Sequence, residues 1–311
     1  MAPRCSVILP TYNRADVLPR AVASVLSQHV QEFELIIVDD ASSDGTSDWL
    51  ATLNDPRIRI TRTDGNQGPS AARNVGIATA SAPVLAFLDS DDVYLPGRLS
   101  LPLRVLADEP DVICTLSSAR KQGRKGEWEA THLPDVKLAS GAFEWAMICD
   151  LVGVESTSIT VRTEAAVAAG GFCVALRRTE DREFLIRLSR LGGARILPDV
   201  LFEKSLSADS TSDQWAEAGR HLISYVRQRP EFLGRYRPIG RYLATKILVA
   251  NLRRRDLNSV IGDIRLFRAA GLLDVSLPQL WRNHRNMRKY RRKMATREAL
   301  ASLAGPPDDW P

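Results

Sequence analysis

The sequence predicts an α/β fold: a mostly parallel, doubly wound sheet flanked by helices, followed by an all-helical, basic C-terminal region. Three observations carry this expectation. Short apolar runs alternate with segments of helical periodicity through the first two-thirds of the chain, the rhythm of strand–helix–strand units. Three of those runs, at 6–9, 34–38 and 84–88, end in loops rich in acidic or polar residues, which a parallel sheet would gather along one edge. From about Asp213 the texture changes to helices only, and the charge changes with it.

Taken in order, Ser6-Val7-Ile8-Leu9 reads as the first strand and Pro10 to Arg14 as the loop after it. Asp16 can begin the next helix, with Val17, Leu18, Ala21, Val22, Val25 and Leu26 on one face. Glu34 to Val38 is a second strand, leading into Asp39-Asp40-Ala41-Ser42-Ser43-Asp44-Gly45-Thr46. The short oxygen-bearing side chains of that loop favour turns and helix caps. Ile58 to Ile60 makes a third, shorter strand, and a helix from Ser70 to about Ala80 carries Arg73 and Asn74. Val84 to Leu88 is a buried strand entered through Pro83. Pro96 suits the first position of a helix running to about Asp108. Val112 to Leu116 returns as a strand, residues 119–140 form a loop with a hairpin, and Thr157 to Val161 is another strand. Thr163 caps a short helix that Gly170-Gly171 stops. Thr179-Glu180-Asp181 opens a helix from Arg182 to Leu191, and Arg195 to Leu197 and Val200 to Phe202 are short strands. In the tail, Val260, Ile261, Ile264 and Phe267 share one helix face.

The net charge of +5 hides an uneven distribution. Residues 211–311 hold 20 basic against 9 acidic side chains, a net of +11, which leaves −6 for residues 1–210. The run from Arg282 to Arg297 alone contains eight basic residues and no acidic one. A mildly acidic body with a basic tail predicts that the tail meets something anionic, and peripheral contact with an anionic membrane face is the expectation. Hydrophobic content of 44% and charged content of 25% are ordinary for a soluble globular chain. Cys5, Cys114, Cys149 and Cys173 lie far apart with no Cys-x-x-Cys pair, which argues for free thiols in a reducing compartment. The apolar run Val7-Ile8-Leu9 stops at Pro10, so no secretory signal is expected, and no stretch has the length of a transmembrane helix. A cytoplasmic location follows, at most peripheral on the cytoplasmic face.

The chemistry concentrates at Phe87-Leu88-Asp89-Ser90-Asp91-Asp92, where three carboxylates follow a buried strand. Such a cluster repels itself unless compensated, and a hard divalent cation prefers oxygen ligands. An isolated Asp-x-Asp would more often be an acidic turn; what lifts this one is its company. Asp181 stands in the first turn of a helix, where unpaired N–H groups and the dipole favour an acid. By itself that placement is also ordinary helix-start chemistry.

Five segments together carry a family resemblance. Ser6-Val7-Ile8-Leu9-Pro10-Thr11-Tyr12-Asn13-Arg14 and Val38-Asp39-Asp40-Ala41-Ser42-Ser43-Asp44-Gly45-Thr46 resemble the opening signatures of family 2 glycosyltransferases. Gly68-Pro69-Ser70-Ala71-Ala72-Arg73-Asn74-Val75-Gly76 and the acidic segment 87–92 are similar to the next two. Gly170-Gly171-Phe172 with Thr179-Glu180-Asp181 resembles the acceptor-side signature. The match runs from residue 5 to about 205. It implies a GT-A fold over residues 1–210, with a nucleotide-sugar-binding half to about 105 and an acceptor half over 106–210, and 211–311 as a helical appendage. It implies inverting transfer of a sugar from a nucleotide-sugar, a UDP-sugar being the expected donor, to a hydroxyl of a glycan, polysaccharide or lipid-linked saccharide. Pro10, Thr11, Tyr12, Arg14, Asp40, Arg73, Asp89 and Ser90 then become donor-binding residues. Asp40 would meet the nucleobase, Tyr12 could stack on it, and Arg73 would reach the diphosphate. Asp91, with Asp89, would hold Mg²⁺ or Mn²⁺, and Asp181 would be the general base. One departure stands out: many relatives place a His after the last strand of the domain, where this chain has Phe202-Glu203-Lys204-Ser205-Leu206. His29, His132, His221 and His284 lie elsewhere.

Other classes fit less well. A nicotinamide-dependent dehydrogenase would need Gly-x-Gly-x-x-Gly after the first strand, where Pro10 to Arg14 stands. The non-catalytic alternatives are a nucleotide-sugar-binding protein and a nucleic-acid-binding protein. The second rests on the basic tail, which has few interleaved aromatics and no recognised module, so no nucleic acid is expected.

Overall fold

The computed structural model describes residues 2–205 except 124, 149, 177 and 178, together with residues 220, 222–224, 237–273, 285 and 296–303. Arg177, Arg178, His221, His284, Cys149, most of the basic run at 282–297 and the terminal 305–309 therefore lie outside the described residues.

The sheet is built from β1 (Cys5–Thr11), β2 (Phe33–Asp39), β3 (Ile58–Arg62), β4 (Val84–Phe87), β5 (Val93–Tyr94), β6 (Val112–Gln122), β7 (Trp128–Thr131), β8 (Val136–Leu138), β9 (Ile159–Arg162) and β10 (Gly193–Lys204). Its spatial order is β3-β2-β1-β4-β9-β6-β10-β5, with β7 paired to β6 and β8 to β10. β3, β2, β1 and β4 are mutually parallel, as the alternation with helices requires. The second half is mixed, because β9 runs antiparallel to both β4 and β6. That reversal places the segment before β9 beside the C-terminal end of β4, and so beside the acidic loop.

Helices α1 (Leu18–Leu26), α2 (Thr46–Leu50), α3 (Pro69–Thr79), α4 (Ser100–Asp108), α5 (Ser140–Ile148), α6 (Thr163–Ala168) and α7 (Glu180–Leu188) cover the sheet. Alternation along the strands splits the core in two, as the period of a strand dictates. Ile8, Leu85 and Phe87 join one buried cluster, while Val7, Leu9, Ala86 and Leu88 join the other with α1 residues Leu18, Val22 and Val25. The tail helices α8 (Arg237–Arg253), α9 (Leu257–Ala269) and α10 (Arg297–Ala301) add Leu243, Ile247, Phe267 and Leu300 to the first cluster. Lys246 of α8 also pairs with buried Asp150 at 3.1 Å. None of the described helices is long and apolar enough to cross a membrane.

Several local expectations are corrected. Pro96 does not open a helix: Gly97 takes φ +87° and the Arg98 N–H donates to Leu95 O at 3.1 Å, so 95–98 is a Pro-Gly turn and α4 starts at Ser100. The two short strands after Gly193 are one strand, β10, with register shifts around Pro198, whose missing N–H cannot join the ladder. Thr163 is the first residue of α6, not its cap, and its hydroxyl donates to Ala82 O at 2.6 Å. Ile261 is exposed, so the buried stripe of α9 runs through Val260 and Phe267.

At the N-terminal end of the parallel strands, Glu34 is held by Ser6 Oγ at 2.6 Å, by the N–H and Oγ of Ser81 at 2.7 Å each, and by Arg59 at 3.0 Å. Burial opposes its charge, but these donors outweigh it and push the carboxyl down to about 2. The folded value lies below the ordinary 4.5, so the stabilisation is present above that pH and is lost as pH falls towards 2. Urea midpoints should therefore drop more steeply between pH 4.5 and about 2 for the parent chain than for Glu34→Gln. Equal slopes would remove Glu34 as an acid-labile anchor.

Candidate active site

The C-terminal ends of β1, β2 and β4 face the same edge, and their loops are stapled together. The Asp40 N–H donates to Thr11 O at 2.8 Å, the Asn13 N–H to Ser42 Oγ at 2.9 Å, and the Arg14 N–H to Thr46 Oγ1 at 2.9 Å. Asn13 and Ala41 accept left-handed backbone, with φ of 50° and 62°, to make these closures. Pro10 and Thr11 are buried and Ser90 nearly so, whereas Tyr12 is 41% exposed at the mouth. An aromatic face is thus available to a planar ligand.

Asp40 is held from within the chain. Its carboxylate accepts from the N–H of Gly68 at 2.7 Å, from the N–H of Gln67 at 3.0 Å and from Thr63 Oγ1 at 2.9 Å. Both oxygens are engaged in shaping the turn that starts α3. Its neighbour Asp39 is similarly occupied, by Arg62 at 2.6 Å, Ser47 Oγ at 2.7 Å and the Ser42 N–H at 2.9 Å.

Arg73 organises the centre. It is not the solvated face residue that an amphipathic helix would allow, for only 4% of it is exposed. One guanidinium nitrogen reaches Asp89 at 2.7 Å and the other reaches Glu180 at 3.3 Å, while the group lies 5.1 Å over the Phe172 ring. A planar fork can hold two carboxylates at once, which a lysine cannot. Through it the strand-end loop and the start of α7 meet at one place. Phe172 is fixed in turn by Asn74, whose side chain donates to its O at 2.8 Å and accepts from its N–H at 2.7 Å. It stacks on Phe184 at 4.4 Å and meets Phe87 edge-on at 5.1 Å. Gly171 must be glycine here: it has φ +65°, and a Cβ would lie 2.4 Å from Asn74 Oδ1. The Arg-Asn and Gly-Gly-Phe segments, nearly a hundred residues apart, are thus two halves of one joint.

Asp181 stands beside this joint, accepting the Arg182 N–H at 2.7 Å. Burial, with the charges of Glu180 and Glu155, pushes its carboxyl up to about 7. The Arg182 side chain turns away, to Asp150 and to Met147 O at 2.8 Å. Thr179, just before, has φ 64°, a conformation that a β-branched residue rarely adopts, and such strain concentrates at functional positions.

The acidic loop has partners that its own sequence did not name. The Thr157 hydroxyl accepts the Asp89 N–H at 3.1 Å and donates to Asp92 at 2.6 Å. Asp92 is fully buried, and that burial pushes its carboxyl up to about 8. Fully buried Arg98 holds the same segment from behind, reaching Thr157 O at 2.8 Å, Ile159 O at 3.0 Å and Thr160 Oγ1 at 2.6 Å. Lys204 arrives from the end of β10, whose antiparallel pairing of Glu203 with Val93 sets the next residue beside Asp92. Its ammonium lies 3.3 Å from Glu155, 3.8 Å from Asp89 and 3.9 Å from Asp92. Thr157, Glu155 and Arg98 carry no motif; Lys204 was marked only by standing where a His was awaited.

This donor set does not fit the divalent cation expected at Asp91 and Asp89. Asp89 is already paired with Arg73, Asp92 is buried behind it, and an ammonium stands within 4 Å of both. Asp91 is the one carboxylate of the loop whose side chain accepts no hydrogen bond among the described residues, and these hold no group of three His, Cys, Asp or Glu able to bind a metal. His29 and His132 are exposed and belong to other parts of the molecule.

Known proteins converge on the same identification. The chain is 42% identical over 144 residues to the succinoglycan biosynthesis protein ExoO of Rhizobium meliloti, covering 44% of this chain and 41% of that one. It thus spans less than half the length of that relative. An uncharacterized glycosyltransferase of Haemophilus influenzae is 28% identical over 234 residues, which is 72% of this chain and 76% of that protein. In fold, the chain resembles S. aureus TarS 1–349 in complex with UDP-GlcNAc, with a TM-score of 0.58 and 19% identity over 94% of this chain and 92% of that one. That likeness accounts for the mixed sheet, its flanking helices and the helices that follow. The family model "Glycosyl transferase family 2" matches residues 6–178, more than half of the chain, and the protein belongs to that family.

Proposed function

We propose that the chain is an inverting glycosyltransferase that moves a sugar from a nucleoside-diphosphate donor, a UDP-sugar, to a hydroxyl of a glycan, polysaccharide or lipid-linked saccharide. The observation that carries this is the junction made by Arg73, which joins the strand-end Asp89 to the helix start bearing Asp181. Donor chemistry and acceptor chemistry then share one cleft. In the reaction the acceptor oxygen bonds to the anomeric carbon as the bond from that carbon to the diphosphate breaks. The electron pair leaves with the diphosphate oxygen, and the acceptor proton passes to Asp181. A carboxyl poised at about 7 is suited to taking a proton near neutral pH.

Tyr12 at the mouth offers a face for the base, with Pro10, Thr11 and Arg14 behind it and Ser90 near the diphosphate. The family supports the donor class, and TarS, which binds UDP-GlcNAc, supports a uridine nucleotide. ExoO, named for succinoglycan biosynthesis, supports a saccharide acceptor. A screen of nucleotide-sugars for thermal stabilisation and slow donor hydrolysis tests the reading. One nucleotide-sugar should raise the melting temperature in proportion to the logarithm of its concentration, and should be hydrolysed. Stabilisation without hydrolysis or transfer to any saccharide would favour a nucleotide-sugar-binding protein, and retention on generic DNA without either would favour the nucleic-acid alternative.

A further inference from the structure

We propose that the Lys204 ammonium supplies, from within the chain, the positive charge that stabilises the donor's departing diphosphate, so that transfer proceeds without a divalent cation. The inference rests on the glycosyltransferase reading above and concerns its leaving-group side. Lys204 lies at the end of β10 against the Asp89–Asp92 loop, the strand-end loop that the glycosyltransferase reading assigns to the donor. Its side chain is 30% exposed and so is not sealed into the core. Among the described residues only Glu155, at 3.3 Å, is within hydrogen-bonding distance; Asp89 and Asp92, at 3.8 and 3.9 Å, lie too far to occupy its N–H groups. An ammonium has three donors, so capacity remains for phosphate oxygens.

The surrounding charges are arranged to leave this cation available. Asp89 is paired with Arg73 at 2.7 Å, and Glu155 with Lys121 at 2.5 Å. Asp92 is bonded to Thr157 and closed off from solvent. Lys204 therefore shares Asp89 and Glu155 with other cations and is not needed to neutralise either of them. When the bond from the anomeric carbon to the diphosphate breaks, negative charge grows on the leaving oxygen. A fixed ammonium at that place stabilises the charge as it develops, while staying protonated throughout. The acceptor proton still goes to Asp181, so the step balances with no further co-reactant.

The test is calorimetric titration of the full chain with UDP, GDP, CDP and dTDP, each beside its nucleoside, in EDTA and in Mn²⁺. At least one diphosphate should bind with affinities in the two buffers that agree within about threefold. Lys204→Met should weaken that diphosphate about 10- to 100-fold, the range of a lost charge-assisted hydrogen bond, and leave its nucleoside unchanged. Lys204→Arg should retain most of the affinity. Binding by the parent chain that disappears in EDTA would overturn the proposal, and that comparison needs no variant to fold. Equal losses of diphosphate and nucleoside in Lys204→Met would also overturn it, by reducing Lys204 to a structural ion pair. Failure of every diphosphate in both buffers is a different result, which removes the donor reading itself and this proposal with it.

Discussion

Asp181→Asn should lower turnover about 100- to 10,000-fold while donor binding persists, the range expected for loss of a general base. The substitution keeps the shape of the side chain and removes only its capacity to take a proton. Burial holds the parent carboxyl at about 7, so kcat/KM should rise with pH through that value as the base ionises. A second signature is opposite in sign to most active-site changes. The folded value lies above the ordinary 3.8, so the native state binds the extra proton between the two, and this group's contribution to stability declines as pH rises from 3.8 to about 7. Asp181→Asn removes that decline and should melt higher than the parent above pH 7. Glu180, one residue earlier, is the rival base, but its carboxylate is committed to Arg73 at 3.3 Å. Near-normal turnover in Asp181→Asn alongside an inactive Glu180→Gln would transfer the role to Glu180.

The strands and the motif order were legible because they depend on local pattern. Buried apolar runs such as Val84–Phe87 can be recognised without knowing their neighbours, and the acidic loop follows from where that run stops. Helix α5 was missed for a physical reason. Ala142, Phe143, Glu144, Ala146, Met147 and Ile148 are all buried, so the helix has no single apolar stripe to reveal its period. The supporting cast of the site was illegible for another reason. Thr157, Glu155 and Lys204 are brought to the acidic loop only by the antiparallel insertion of β9 and by the β10–β5 register, neither of which has a local signature. Asp40 and Arg73 were marked by motif and so were visible, but a motif does not tell which loops a side chain also holds together. In this structure Asp40 holds the turn before α3, and Arg73 holds the two halves of the site together.

Arg73→Met should therefore be costly in two independent ways. Removing a buried guanidinium leaves Asp89 and Glu180 facing each other without their shared cation, a change that typically costs about 3–5 kcal/mol. Partial exposure of Asp89, at 23%, favours the lower end of that range. Turnover should fall further than donor affinity, because the helix start that carries Asp181 loses its tether to the acidic loop. Arg73→Lys retains the charge but has no planar fork to span both carboxylates, so it should recover part of the stability and little of the turnover. A double-mutant cycle separates the bridge from general packing. If the bridge is real, Arg73→Met and Glu180→Gln should be non-additive by about 0.5–3 kcal/mol in denaturant unfolding, since the second change removes a charge already uncompensated by the first. Additive effects, or an Arg73→Met chain within about 1 kcal/mol of the parent, near the middle of ordinary substitutions, and with unchanged kcat, would show that the site assembles without it.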